Sequence, residues 1–423
     1  MRVAIAAEPI RCPSGLGHFL ATGLRWLAKL NPNWEFHVVA RAQFISMYKN
    51  SMGINVKFYT WDETPVVSWL RRNVRVRGRE LLIRFMKSMS FASWLVQMED
   101  LRTIWKSLPA FDVIWIPYFD IISRQWPVLY ENGFIKHPVL LSILDIHPVF
   151  YPSDWDLEAL TNFYEDFVPF AKHCGRIITH TNFQKSAITK HLGINSGKIS
   201  MAYLPPLLEW DILLGTKGID YALTLLRYKY GIKRPYLLYP GSGGFTHKNH
   251  RGLLLAWHNL KSRMKNDCPI LVCTSKDQWS IWKALIKTFS LEEFVIFTDL
   301  VPVEHLSILY QLCTFVIVPT LYEGGASGPV LEGILSGRPV LCSQIEPIEE
   351  QLDAYGISGV TFFDPADPGA IADVVQWALH NQRELESRAK KAQENLARTL
   401  PSLWKDWAVV YTKELAQLAQ GDW

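Results

Sequence analysis

No apolar run in the 423-residue chain approaches the roughly 20 residues needed to span a bilayer. The segment Met1 to Glu8 holds an apolar run too short for a signal sequence, closed by a glutamate. The six cysteines (Cys12, Cys174, Cys268, Cys273, Cys313 and Cys342) form no CxxC pair and have no ligand-like spacing with histidines. They read as buried thiols of a reducing cytosol rather than a disulfide framework. Charge of one sign is also scarce. A formal net charge of +4 argues against bulk nucleic-acid binding. Low-complexity tracts and internal repeats beyond two αβ halves are missing, and Lys248 is followed by Asn249, so no Walker motif is present. These absences predict a cytoplasmic protein, soluble or peripheral to a membrane face.

What is there is the composition of a folded α/β protein. Hydrophobic residues make up 49% and charged residues 20%, and the length suggests two domains of about 200 residues. Buried-strand runs are expected at 2–7, 35–40, 55–59, 112–117, 138–144, 177–180 and 199–203. After the pair Pro205-Pro206, a second series is expected at 236–239, 270–274, 294–298, 314–319, from 339 and at 359–363. Helical patterns fall between them, including 18–30, 303–312, a long helix over 367–396 and a final helix over 404–418. The fold class is α/β, with two Rossmann-like doubly wound domains facing a central cleft.

The richest stretch is Pro319 to Gly333, which reads as a strand end, a glycine-rich loop and a helix entered through Pro329. A glycine loop feeding a helix N-terminus offers unpaired N–H groups and partial positive charge, suited to a phosphate. Glu323 and Glu332 frame it. Carboxylates beside a phosphate make sense where each accepts sugar hydroxyls; the alternative is a turn cap and a solvated helix residue. The stretch 240–250 provides Gly241 and Lys248 at another helix start, a second phosphate-binding element or an exposed turn. Near the N-terminus, Gly15 and Gly17 allow close backbone approach but lack a full dinucleotide fingerprint, because position 20 is Leu20. His147 follows a central strand, beside Asp145, where chemistry gathers in open α/β sheets. In 68–87, arginines alternate with apolar residues such as Trp69, Leu82 and Phe85, a pattern for an anionic membrane interface or a solvated helix face.

Taken together, 319–333 ending in Gly337-Arg338-Pro339-Val340, 239–250 and 14–18 resemble the signatures of retaining GT-B glycosyltransferases of family 4. The resemblance implies residues 1–206 as an acceptor-side domain and 207–397 as the donor-binding domain. Residues 398–423 would form a helix crossing back to the first. It implies that Glu332 holds ribose hydroxyls and that Glu323 contacts the transferred sugar. The N–H groups of Ala326, Ser327 and Gly328 would meet sugar or β-phosphate, and Lys248 would neutralise the diphosphate. Gly15 and Gly17 would let the first domain close, and His147 would be the histidine near the sugar. Neither metal nor cofactor is implied beyond the nucleotide-diphosphate-sugar donor, with a glycan or lipid-linked acceptor.

Three departures stand out. Eight residues separate Glu323 from Glu332, where the family usually has seven. The family's phosphate-binding arginine before the lysine is replaced by Gly241-Ser242-Gly243-Gly244, and its His-Asp order becomes Leu144-Asp145-Ile146-His147. Two other readings therefore stay open: a catalytically silent glycosyltransferase-like partner subunit, and a GT-B nucleotide-sugar epimerase.

Overall fold

The computed structural model describes residues 1–7, 10, 15–60, 105, 107–118, 137–206, 218–233, 235–241, 244–275 and 281–421. The basic and apolar segment 68–87 lies outside them. All the strands expected from the sequence form. In chain order the first lobe contains β1 (Arg2–Ala6), α1 (Gly15–Leu30), β2 (Glu35–Ala40), β3 (Val56–Thr60), β4 (Val113–Ile116) and β5 (Val139–Ser142). It continues with β6 (Arg176–Thr179), α2 (Asn182–Leu192) and β7 (Ile199–Met201). The second lobe holds β8 (Tyr236–Tyr239), α3 (His250–Met264), β9 (Ile270–Cys273), β10 (Val295–Phe297), α4 (Val303–Leu312) and β11 (Phe315–Val318). After these come α5 (Gly328–Leu335), β12 (Val340–Ser343), α6 (Glu346–Ala354), β13 (Thr361–Phe363), α7 (Pro368–His380) and α8 (Gln382–Gln420).

Both sheets are parallel throughout. The first runs β3-β2-β1-β4-β5-β6-β7 and the second β10-β9-β8-β11-β12-β13. Strands such as β11, with all four residues buried, are continuous apolar runs because helices cover both faces. In each sheet the order reverses once, between β1 and β4 and between β8 and β11. The crevice at such a reversal is where open α/β sheets bind ligands.

The C-terminus departs from expectation. The break falls at Asn381, and from Gln382 one helix of 39 residues continues through Pro401 to Gln420. Interior proline costs a helix about 3 kcal/mol, but packing on two cores holds this one. Ala392 and Leu396 join the second lobe's core, while Trp404, Trp407, Tyr411, Leu415 and Leu418 join the first. Trp115 Nε1 donates to Ser142 Oγ at 3.0 Å, and Ser142 Oγ lies 3.0 Å from the Tyr411 hydroxyl, so β4, β5 and α8 share one buried chain. Among the described residues, no helix is long and apolar enough to cross a membrane.

Candidate active site

The two strands flanking the second lobe's reversal carry the two loops singled out by sequence. β8 leads into a single turn, Thr246–Lys248, and β11 into the loop that ends at α5. Asn249 joins them. It sits in the left-handed region at φ 56°, caps α3 by accepting from Gly252 N at 3.2 Å, and donates to Pro319 O at 2.9 Å and Pro365 O at 2.8 Å. Leu321 N also donates to His247 O at 2.7 Å. Tyr239 fixes the turn from below, its hydroxyl donating to Lys248 O at 2.6 Å. Gly241 makes room for that ring, since a Cβ there would lie 2.3 Å from Tyr239 Cζ. Its observed role is to admit Tyr239. The outcome of this stitching is that Lys248 Nζ meets Glu323 Oε1 at 2.6 Å, with both side chains largely covered.

At the start of α5, Ser327 has φ 67° and ψ 131°, a conformation that L-residues rarely adopt and that functional loops often store. The Ser327 and Gly328 N–H groups have no hydrogen-bond partner among the described residues, as is usual at a helix N-terminus. Ala326 N, by contrast, donates to Gln351 Oε1 at 2.8 Å. One turn on, Glu332 accepts from the buried Tyr310 hydroxyl at 2.6 Å through Oε2. Its Oε1 points at the helix start, 3.5 Å from where a Cβ on Gly328 would lie. Burial pushes the Glu332 carboxyl up to about 7, partly offset by the Tyr310 hydrogen bond.

The first lobe closes over this loop. Thr181, the cap of α2, accepts from Gln184 N at 3.1 Å and donates to Gly324 O at 2.8 Å. The Tyr322 hydroxyl donates to Gln184 Oε1 and accepts from Ile146 N, each at 3.0 Å. Glu350 of α6 caps α2 from across the cleft, accepting from Asn182 N at 2.6 Å and Phe183 N at 2.9 Å. A cavity of about 150 Å³ remains between the lobes, walled by Leu144, Asp145 and His180 on one side and residues 323–328 on the other. Asp145 is open to that cleft, yet the protein crowding its carboxyl, with Glu323 opposite, raises its pKa. Gly15 opens α1 and Gly17 lies in its first turn, so the expected glycine loop is already helical there.

The structure does not bring His147 to the cavity wall. Its Nε2 lies 3.0 Å from Asp154 Oδ2, and Trp155 Nε1 donates to its Nδ1 at 3.0 Å. Burial lowers its pKa against the pull of Asp145 and Asp154. His180, which sequence reasoning read only as a strand end, does line the cavity. Its Nδ1 is 3.2 Å from Ala202 O, its Nε2 has no partner among the described residues, and burial lowers its pKa to about 4. Its place right after a central strand was the available signal.

His147, Asp154 and His247 gather ligand-type atoms within 4.8 Å of one another. A metal-bound histidine normally donates its other ring N–H outward. Here Trp155 donates into His147 Nδ1, which leaves the proton on Nε2, so the donor set fits a hydrogen-bond relay rather than a metal centre.

Residues 226–395 match the family model for Glycosyl transferases group 1. The chain superposes on Anabaena Alr3699/HepE in complex with UDP and glucose, with a TM-score of 0.66, 14% identity, and 98% of this chain and 100% of that one covered. Sucrose-phosphate synthase from Thermosynechococcus elongatus gives 0.68 and 14%, covering 100% of both chains. The chain has the GT-B glycosyltransferase fold. The stretch matched by the family model contains Lys248, Glu323 and Glu332. Among curated relatives, O-antigen chain mannosyltransferase B of Escherichia coli is 29% identical over 163 residues, which is 37% of this chain and 41% of that one. O-antigen chain mannosyltransferase RfbU of Salmonella typhimurium is 23% identical over 258 residues, 61% of this chain and 64% of that one. The chain therefore spans less than two thirds of either relative's length.

Proposed function

We propose that the protein is a retaining, metal-independent glycosyltransferase that moves a hexose from a nucleotide-diphosphate sugar to a glycan or lipid-linked acceptor in surface polysaccharide synthesis. Residues 207–397 form the donor lobe, and 1–206 with 398–423 the acceptor lobe. The observation that carries this reading is the meeting of Lys248 and Glu323 beside the Ser327 and Gly328 N–H groups. A lysine and a helix N-terminus stabilise charge developing on a departing diphosphate without a metal. Glu332 Oε1 receives ribose hydroxyls while Tyr310 holds Oε2, and Glu323 turns to the sugar once the diphosphate takes Lys248. The acceptor attacks on the leaving-group face, and the departing phosphate helps remove its proton. Mannose is the first hexose to test, because both curated relatives are named O-antigen mannosyltransferases. Work at the cytoplasmic membrane face, through 68–87, is part of the proposal.

Two observations favour the silent-partner reading: Ala326 N is already committed to Gln351, and the cavity is smaller than the roughly 300 Å³ of ordinary ligand pockets. Calorimetry with UDP, GDP, ADP and dTDP, followed by product mass analysis with each hexose donor, separates the two. Binding of one diphosphate with transfer from its sugar supports the enzyme. Binding of none defeats it.

A further inference from the structure

The Thr246–Lys248 turn belongs to the second lobe, yet a side chain of the first lobe holds it as well. Asp154 accepts from Thr246 N at 2.9 Å with Oδ2 and from the Thr246 hydroxyl with Oδ1. The same Oδ2 accepts from His147 Nε2 at 3.0 Å, and His247 Nδ1 lies 4.0 Å away. The Asp154 side chain is only 5% exposed, so these contacts replace nearly all its water. None of the nearby donors is a formal cation. Burial, with Lys248 adding to it, pushes His247 down to about 2, and Trp155 holds His147 in its neutral Nε2–H form. A buried carboxylate satisfied by directed neutral donors is fixed in place by geometry rather than by a salt bridge. The rings pack around it, His147 against His247 at 4.2 Å and against Phe245 at 5.1 Å.

We infer that Asp154 is a positioning residue that couples closure of the two lobes to the placement of Lys248. The inference rests on the reading of Lys248 as the diphosphate-binding lysine. The turn itself is held within the second lobe by Tyr239 and Asn249. Loss of Asp154 therefore leaves the turn formed but uncouples it from the first lobe. Closing would then no longer bring acceptor-side groups and the lysine into register, and small misplacements of this kind cost rate more than binding. A cavity of about 150 Å³ must widen to admit a nucleotide sugar, so a contact that re-forms on closing lies on the working cycle.

The test compares wild type, Asp154→Ala, Thr246→Ser, Thr246→Val and Lys248→Ala by small-angle scattering without nucleotide, diphosphate calorimetry, and donor KM and kcat. Circular dichroism melts identify any variant that fails to fold. Asp154→Ala should enlarge the scattering dimension and lower kcat about tenfold or more, with diphosphate affinity within about threefold of wild type. Thr246→Ser should close like wild type and Thr246→Val should not. Lys248→Ala should lose diphosphate affinity with no change in scattering. An Asp154→Ala protein with unchanged scattering and kcat would overturn the inference. So would stoichiometric Zn²⁺ binding lost in that variant, which would make the cluster a metal centre. If wild type binds no diphosphate, the functional reading fails, while the scattering comparison still decides whether Asp154 holds the lobes together.

Discussion

Lys248 Nζ and Glu323 Oε1 lie 2.6 Å apart although they are 75 positions apart in the chain. Each is the other's counter-charge, so a diphosphate can take the ammonium only when Glu323 gives it up. Ser327 Oγ, donating to the same Glu323 oxygen at 3.3 Å, stays behind as a replacement donor. Lys248→Ala should weaken nucleoside-diphosphate binding by about 1–3 kcal/mol, the range for a charge-assisted contact. Glu323→Gln should bind diphosphate at least as well as wild type and turn over sugar more slowly. Calorimetry and steady-state rates on both variants check this, and equal diphosphate affinity across all three proteins would contradict the assignment.

Glu332 makes stability depend on pH. Its folded value of about 7 lies above the ordinary 4.5, so between these values the native state keeps a proton that the unfolded chain has lost. The contribution is fully present below about pH 4.5 and is lost as pH rises through about 7. Urea unfolding at about pH 5 and about pH 8 should show wild type losing stability, with the slope flattened in Glu332→Gln. A slope unchanged by the substitution would place the titration elsewhere.

At Gly324 the backbones of the two lobes come close together. A Cβ there would stand 2.0 Å from the backbone oxygen of Leu144 in the other lobe, and backbone yields little. Gly324→Ala should separate the lobes, enlarge the scattering dimension and cost about 1–3 kcal/mol in thermal unfolding. Wild-type scattering and melting from this variant would mean the approach is looser than described.

Trp407 anchors α8 to the first lobe. Fully buried, it stacks on Tyr411 with ring centroids 4.0 Å apart and meets Phe19 edge-on at 5.7 Å. Gly23 of α1 leaves space for it, since a Cβ would fall 2.6 Å from Trp407 Cη2. Trp407→Ala should cost about 3–5 kcal/mol, and Gly23→Ala a smaller 1–3 kcal/mol or so through overpacking. Denaturant melts of the two variants measure both.

Local chemistry determined what could be read from the chain alone. Continuous apolar runs bounded by glycine and proline mark parallel strands wherever they occur, so the strands of both sheets, α4 and the glycine-rich turn into α5 were legible without coordinates. Glu323, Lys248 and Glu332 stood out in the chain as charged residues framing glycine-rich loops and helix starts. Tertiary structure alone decided what those residues face. The pairing of Lys248 with Glu323, the capture of Ala326 N by Gln351, and the tie from Asp154 to Thr246 join residues far apart in sequence, and no local pattern carries such distances. Pro401 shows the same division: read locally it breaks a helix, but α8 has a hydrophobic core on each side of it, and the sum of that packing outweighs one lost hydrogen bond.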